Sequence, residues 1–372
     1  MEAASGSRGK RKAAACDVLP RCGGGGGGKR AAATEERDWT SLHSDITRLI
    51  AERLLDEDVT EYIVFRAVCA HWRASAPSPR DPTLADRRFH PRGWVALCDG
   101  AGVRPADAEA ITFFHASTGR VRRVRLWELH RQRIVGLTDG LVLLLDTGNA
   151  IVRVLHPFTR VMVRLPTLAV FFQLVLSKQA WFKMDSFVWL SAAVCAAGPS
   201  SIAVVVWFPD MPVVICAEPS SKHWFLLHSC IQFTNTLPFN GRLYGVTRVG
   251  TREDLGNPLN CRYYLVESSG AMLVAVLHKV SGEAFDAFAI FEVDLCTQKL
   301  TRVASLGDRA LFLSDDRCLC VSSMDFPSIS SNSIYFSMPE ARKPVIVHSL
   351  NDGSFESLSE ARSSALNTTS RR

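Results

Sequence analysis

Beyond Pro82 the chain consists of short valine-rich and aromatic runs broken by turn residues, and this recurrence leaves few folds open. The runs include Val142–Leu145, Ile151–Leu155, Val161–Leu165, Ile202–Trp207, Tyr263–Val266, Met272–Val276 and Ala287–Val293. Turn signals separate them at Thr147-Gly148-Asn149, Gly198-Pro199, Ser268-Ser269-Gly270 and Asn351-Asp352-Gly353. Many short strands at a spacing of roughly ten residues predict an all-β sandwich, barrel or propeller. Residues 83–362 are too many for a single sandwich, and at about 40–50 residues per four-stranded blade they fit about six blades. No Trp-Asp dipeptide occurs, and no Gly-Gly pair lies outside the N-terminal tail, so the WD40 and kelch repeat signatures are both absent.

Two other segments flank this block. Residues 1–37 are mostly Gly and Ala with the basic cluster Arg8, Lys10, Arg11, Lys12, a composition that cannot form a core and predicts a disordered tail; 363–372 read the same way. The run Gly23–Gly28 with Lys29 imitates a phosphate-binding loop, but Arg30 stands where magnesium needs Ser or Thr, and no apolar strand precedes it. The basic cluster fits a nuclear import signal or a solvated tail. The N-terminus has no apolar core of a secretory signal, and the eleven cysteines are an odd number without paired spacing, so reduced thiols in the nucleus or cytoplasm are expected. The net charge of +6 resolves into +4 on residues 1–37, −3 on 38–77 and +5 spread over the 295 that remain. So thin an excess does not make the basic face of a nucleic-acid binder.

Residues 38–77 have a different periodicity. Ile46, Leu49, Ile50 and Leu54 recur at three- and four-residue steps, which places them on one helix face. The acids Asp56, Glu57 and Asp58 suit the positive end of a second helix carrying Val59, Tyr62, Ile63 and Phe65. A third carries Val68, Cys69 and Trp72 and stops before Pro77. Some 40 residues make a marginal core. So much apolar surface on so short a segment implies a partner that completes it.

Catalytic constellations are missing: there is no GxSxG elbow, HExxH, CxxC or kinase motif set, so no catalytic residue, cofactor or metal is assigned. Cys318 and Cys320 alternate on a predicted strand and read as buried thiols without a second ligand pair. Arg120, Arg122, Arg123, Arg125, Arg131 and Arg133 form the densest basic run of the folded part, either an edge for an acidic partner or a solvated strand protected from aggregation. Ser186–Pro209 has no charge and is long enough to span a membrane, but Gly198, Pro199, Ser200 and Ser201 at its centre make a hairpin of two buried strands the better reading.

The helical segment resembles an F-box. Trp39, Leu42, Asp45, Ile46, Ile50 and Leu54 lead to the closing pattern Phe65-Arg66-Ala67-Val68-Cys69-Ala70-His71-Trp72-Arg73. His43 stands where the family usually has proline, and the stretch from Asp58 to Phe65 is long, as in plant members. In the β segment, Arg133-Ile134-Val135-Gly136, Thr138-Asp139-Gly140-Leu141 and Leu155-His156-Pro157-Phe158-Thr159 resemble a plant F-box-associated propeller-like domain. So do Asp308–Leu313, Arg317–Val321, Phe326-Pro327 and Asn332–Phe336. The resemblance implies an F-box over 38–77 that docks on a Skp1-like adaptor, and through it a cullin, by Leu42, Ile46, Ile50, Leu54, Phe65, Val68, Cys69 and Trp72. It implies a β domain that selects a target protein for ubiquitination while making no bonds itself. Two other classes remain open at this point, a propeller hydrolase or lyase with a structural helical module, and a basic nucleic-acid binder.

Overall fold

A computed structural model describes residues 38–97, 109–171, 190–209, 211–247, 261–279, 285–314, 317–336 and 345–357. The expected tails, with the glycine run and basic cluster, lie outside the described residues. Residues 38–41 form a one-turn 3-10 helix, Trp39–Ser41, in which Asp38 Oδ1 accepts from Thr40 N at 3.0 Å.

Three helices follow: α1 (Ser44–Glu57), α2 (Val59–Ala67) and α3 (Ala70–Ala74). Each start is fixed by a side chain. His43 is the N-cap of α1, its Nδ1 accepting from Asp45 N at 3.3 Å. Asp58 caps α2, accepting from Thr60 N at 2.8 Å and Thr60 Oγ1 at 2.7 Å. Cys69 caps α3 through Sγ, 3.4 Å from Trp72 N. His43 thus lies outside α1 rather than opening it. Its φ of −58° already suits proline, so His43→Pro trades the ring's weak cap for a stiffer unfolded chain. We expect a change in thermal midpoint of under about 2 °C, measured by calorimetry on the full chain.

The β segment is a propeller. Its first blade is β1 (Trp94–Leu97), β2 (Ala110–His115) and β3 (Val121–Arg125); its second is β4 (Gln132–Thr138), β5 (Leu141–Asp146), β6 (Ile151–Leu155) and β7 (Met162–Thr167). The third is β8 (Ser191–Gly198), β9 (Ser201–Phe208), β10 (Met211–Ala217) and β11 (Phe225–His228). A two-stranded ribbon, β12 (Phe233–Phe239) and β13 (Arg242–Thr247), precedes the fourth blade, β14 (Cys261–Ser268), β15 (Ala271–Lys279), β16 (Phe285–Asp294) and β17 (Lys299–Val303). The fifth comprises β18 (Arg309–Leu313), β19 (Leu319–Ser322), β20 (Ser333–Phe336), β21 (Ile346–Ser349) and β22 (Phe355–Ser357). Its order is β19-β18-β20-β21-β22, with β18 and β20 parallel.

Among the described residues the blades number five, with a ribbon, where about six were expected. Division by a uniform blade length assumed four strands in every blade, whereas among the described residues the first blade has three strands, the fifth has five, and the ribbon has two. The uncharged Ser186–Pro209 stretch contains the β8–β9 hairpin, paired from Ser191↔Trp207 to Gly198↔Ser201, as expected. No helix among the described residues is long and apolar enough to cross a membrane.

Neighbouring sheets meet along their inner strands, β4 against β8, β8 against β12, β12 against β14 and β14 against β19. The ring closes where Arg317 Nη1 donates to Ala96 O on β1 at 3.3 Å. Two glycines permit close approach. A Cβ on Gly136 of β4 would lie 1.9 Å from the Ala192 carbonyl of β8, and Gly140, at φ +76°, leaves 2.1 Å from its own Cβ position to Pro91 O.

His156 illustrates how burial fixes a protonation state. Its Nδ1 accepts from Phe158 N and Thr159 N, both at 3.2 Å, so the proton sits on Nε2 and is donated to Phe89 O at 2.9 Å. Burial pushes its pKa down from 6.5 to about 4, and the backbone acceptor at Phe89 recovers only part of this. Burial also lowers His115 and His348. The unfolded chain therefore binds protons that the folded one refuses, so this stability is present above pH 6.5 and lost as pH falls towards 4. The thermal midpoint should drop across that window, and His156→Asn, which keeps an acceptor but does not titrate, should flatten the drop.

Candidate functional site

The closing F-box-like pattern turns out to be a structural lock. The Phe65 and Trp72 rings stack at 4.6 Å, Arg66 Nη2 donates to Arg73 O at 3.2 Å and Arg73 Nε donates back to Arg66 O at 3.3 Å. These bonds fold α3 onto α2. His71 Nε2 donates to Leu42 O at 2.7 Å, which ties α3 to the start of α1. The module's core consists of Ala51, Tyr62, Phe65 and Ala76, with Leu54, Leu55 and Trp72 packed on it, and Phe89 from beyond the helices completes it. Tyr62 OH donates to Pro77 O at 2.6 Å. The chain thus supplies part of the completion that the sequence assigned wholly to a partner.

The residues expected to dock an adaptor divide into two sets. Phe65 is buried, and Leu42, Leu54, Cys69 and Trp72 are half-buried, so these five chiefly hold the module together. Ile46, Ile50 and Val68 are exposed, by 49%, 38% and 57%. Leu49 and Val64, absent from the expected set, are exposed by 62% and 52%. Ile46, Leu49 and Ile50 form one row on α1, and Val64 with Val68 a second at the end of α2, while the opposite face of α1 is buried through Thr47 and Ala51. The four-residue step from Val64 to Val68 was the signal that could have found the second row. Fully burying a large apolar side chain is worth about 1.5–3 kcal/mol, and each of the five in these rows still has more than a third of its surface to bury.

The module also grips the first blade. Trp94 Nε1 donates to the buried Asp58 Oδ1 at 2.9 Å, and Glu61 Oε1 accepts from Arg120 Nη1 at 2.6 Å and Arg122 Nη2 at 3.1 Å. Part of the basic run read as a partner surface or solvated edge is therefore paired within the chain.

A cavity of about 880 Å³ follows the propeller axis, bounded by inner-strand residues of every blade and the ribbon. Glu267 lies in it, its carboxyl pushed up by burial and by Asp139 against the pull of Arg92 and Arg87. Asp139 would be pushed up by burial, but the His90 ring 3.6 Å away and Arg87 at 3.2 Å outweigh that and hold it below the usual carboxylate range. Cys318 and Cys320 are half-buried and line the cavity wall, with Cys320 Sγ 3.3 Å from Ser268 Oγ. No cluster of three or more metal-ligating side chains occurs among the described residues.

A capped three-helix module with an exposed apolar face, followed by a five-bladed propeller, is the arrangement that the F-box resemblance implies. The chain belongs to the KIB1-4 beta-propeller family, whose model matches residues 113–358. Three F-box proteins of Arabidopsis thaliana are similar to it. One is 28% identical over 158 residues, 36% of this chain and 44% of that protein. A second is 36% identical over 77 residues, 21% of this chain and 18% of that protein. The third is 21% identical over 355 residues, 84% of this chain and 98% of that protein. Among solved structures, the major allergen Mala s 1 of Malassezia sympodialis is 11% identical over 67% of this chain and 84% of its own, with a TM-score of 0.29.

Proposed function

We propose that the protein is the substrate-receptor subunit of a Skp1–cullin–F-box ubiquitin ligase, working in the nucleus or cytoplasm. The observation that carries this reading is the pair of apolar rows, Ile46–Leu49–Ile50 and Val64–Val68, exposed on a module whose core is otherwise complete. A Skp1-type adaptor covers them; a few central anchors supply most of the binding energy of such an interface. The propeller offers a rigid frame and an axial cavity for the target. The subunit makes and breaks no bonds. It raises the local concentration of target lysines near the ubiquitin-charged enzyme held by other subunits. Size-exclusion chromatography of the full chain with a recombinant plant Skp1-type adaptor tests this: co-elution as a stoichiometric complex is expected, and separate elution at micromolar concentrations contradicts it.

A further inference from the structure

We propose that α2 is a rigid strut that sets a fixed distance and angle between the adaptor-docking rows and the axial cavity, with Asp58, Glu61, Trp94, Arg120 and Arg122 as its positioning residues. The importance of this geometry for ubiquitin transfer rests on the receptor reading; the rigidity itself does not. The two faces of α2 have different duties. Its last turns present Val64 and Val68 outwards, while its N-cap and first turn hold the first blade. Asp58 Oδ1 accepts both Thr60 N, at 2.8 Å, and Trp94 Nε1, at 2.9 Å, so one buried carboxylate starts the helix and anchors it to β1. Three residues on, Glu61 is held by two arginines of a different strand region, which blocks rotation about the first contact. Arg122 also lies over the Trp94 ring, 5.7 Å from its centre, so the two anchors support each other.

A third tie lies on the return path of the chain. Phe89 packs against Tyr62 with ring centres 5.9 Å apart, and its carbonyl accepts from His156 Nε2 of the second blade at 2.9 Å. Gly93 O then accepts from Ala116 N, just after β2, at 2.8 Å, so the segment is fastened at the helices, at the second blade and at the first. Modules joined by a short polar contact move relative to one another by default. Here a buried charge-assisted hydrogen bond, a doubly held carboxylate and an aromatic contact act together, and a hinge at this point would break all three.

The test is a spin-label distance distribution on the full chain, with ketone-bearing amino acids at exposed Arg53 on α1 and Lys299 on β17 so that the native cysteines are untouched. The wild type should give one narrow distribution. Trp94→Phe combined with Glu61→Arg should broaden it more than about twofold, as expected of modules that have lost their interface. Exchanging a single pair with Trp94 and Arg122 kept, Glu61→Arg with Arg120→Glu, should give a distribution narrower than that of the combined variant. Adaptor affinity, measured on unlabelled protein, should stay within about twofold in all variants because the apolar rows are separate from these residues. If the combined variant does not fold, Trp94→Phe alone and the charge swap carry the comparison. A broad wild-type distribution, or an equally narrow one in Trp94→Phe and the combined variant, overturns the proposal. Failure to bind adaptor would sink the receptor reading and leave these distances unaffected.

Discussion

Replacing Ile50 with aspartate should abolish adaptor binding while the protein remains folded. Ile50 is 38% exposed at the C-terminal end of the α1 row, where it borders the module's core, beside the more exposed Ile46 and Leu49. A carboxylate there would be driven into an apolar interface with no cation of its own, and loss of an anchor costs ~2–4 kcal/mol, a roughly 30- to 1,000-fold weaker dissociation constant. Titration calorimetry reads the loss, and an unchanged melting curve shows that the fold is intact. Trp72→Ala would also weaken binding, but for another reason. Its ring stacks on Phe65 at 4.6 Å within the module's core, so its removal loosens all three helices. Ile50→Asp therefore reports on the interface and Trp72→Ala on the scaffold. Undiminished affinity in Ile50→Asp would mean that the α1 row does not meet the adaptor.

Gly136→Val should cost the propeller more than ~3 kcal/mol, at the upper end of overpacking effects. The position sits at a register shift in β4, where that strand passes β8 of the next blade, and a Cβ would stand 1.9 Å from the Ala192 carbonyl. No side chain can yield there, because the obstacle is backbone. The inner strands would have to separate, opening the core shared by the second and third blades around Leu143, Val194 and Val204. The thermal midpoint should fall by on the order of 5 °C or more. Gly148→Ala is the control: its Cβ would meet only Asp146 Oδ1 at 3.4 Å, and the midpoint should barely move. A Gly136→Val protein that melts with the wild type would show that β4 and β8 do not lie this close.

These two cases show what was legible beforehand. The Phe65–Arg73 pattern is easy to recognise because its residues lock one another in place, through the ring stack, the reciprocal arginine bonds and the thiol cap. Such a pattern identifies a module and says little about which side chains touch a partner. Periodicity grouped Ile46, Leu49, Ile50 and Leu54 on one helical face, whereas the first three are exposed and Leu54 packs on the module's core, because a repeat cannot tell an inward side from an outward one. Thr47 and Ala51 occupy the buried side because close helix packing there favours small residues. Strand runs such as Ile151–Leu155 were readable because every residue of β6 except Arg153 is buried. Blade number was not, since it depends on long-range pairing: β18 and β20 pair in parallel across the intervening β19 hairpin strand, which no local pattern announces. The Asp58–Trp94 and Glu61–Arg120 contacts were hidden for the same reason, separated by 36 and 59 residues.

Hydrogen exchange of the full chain with and without a recombinant Skp1-type adaptor tests the central claim most directly, because it locates the contact without any substitution. The account predicts slowed exchange confined to α1 and α2, over 44–67 and the following turn at Val68, with the inner strands β4, β8 and β14 unchanged. Protection centred on the blades with none in α1, or no protection anywhere at saturating adaptor, would contradict it.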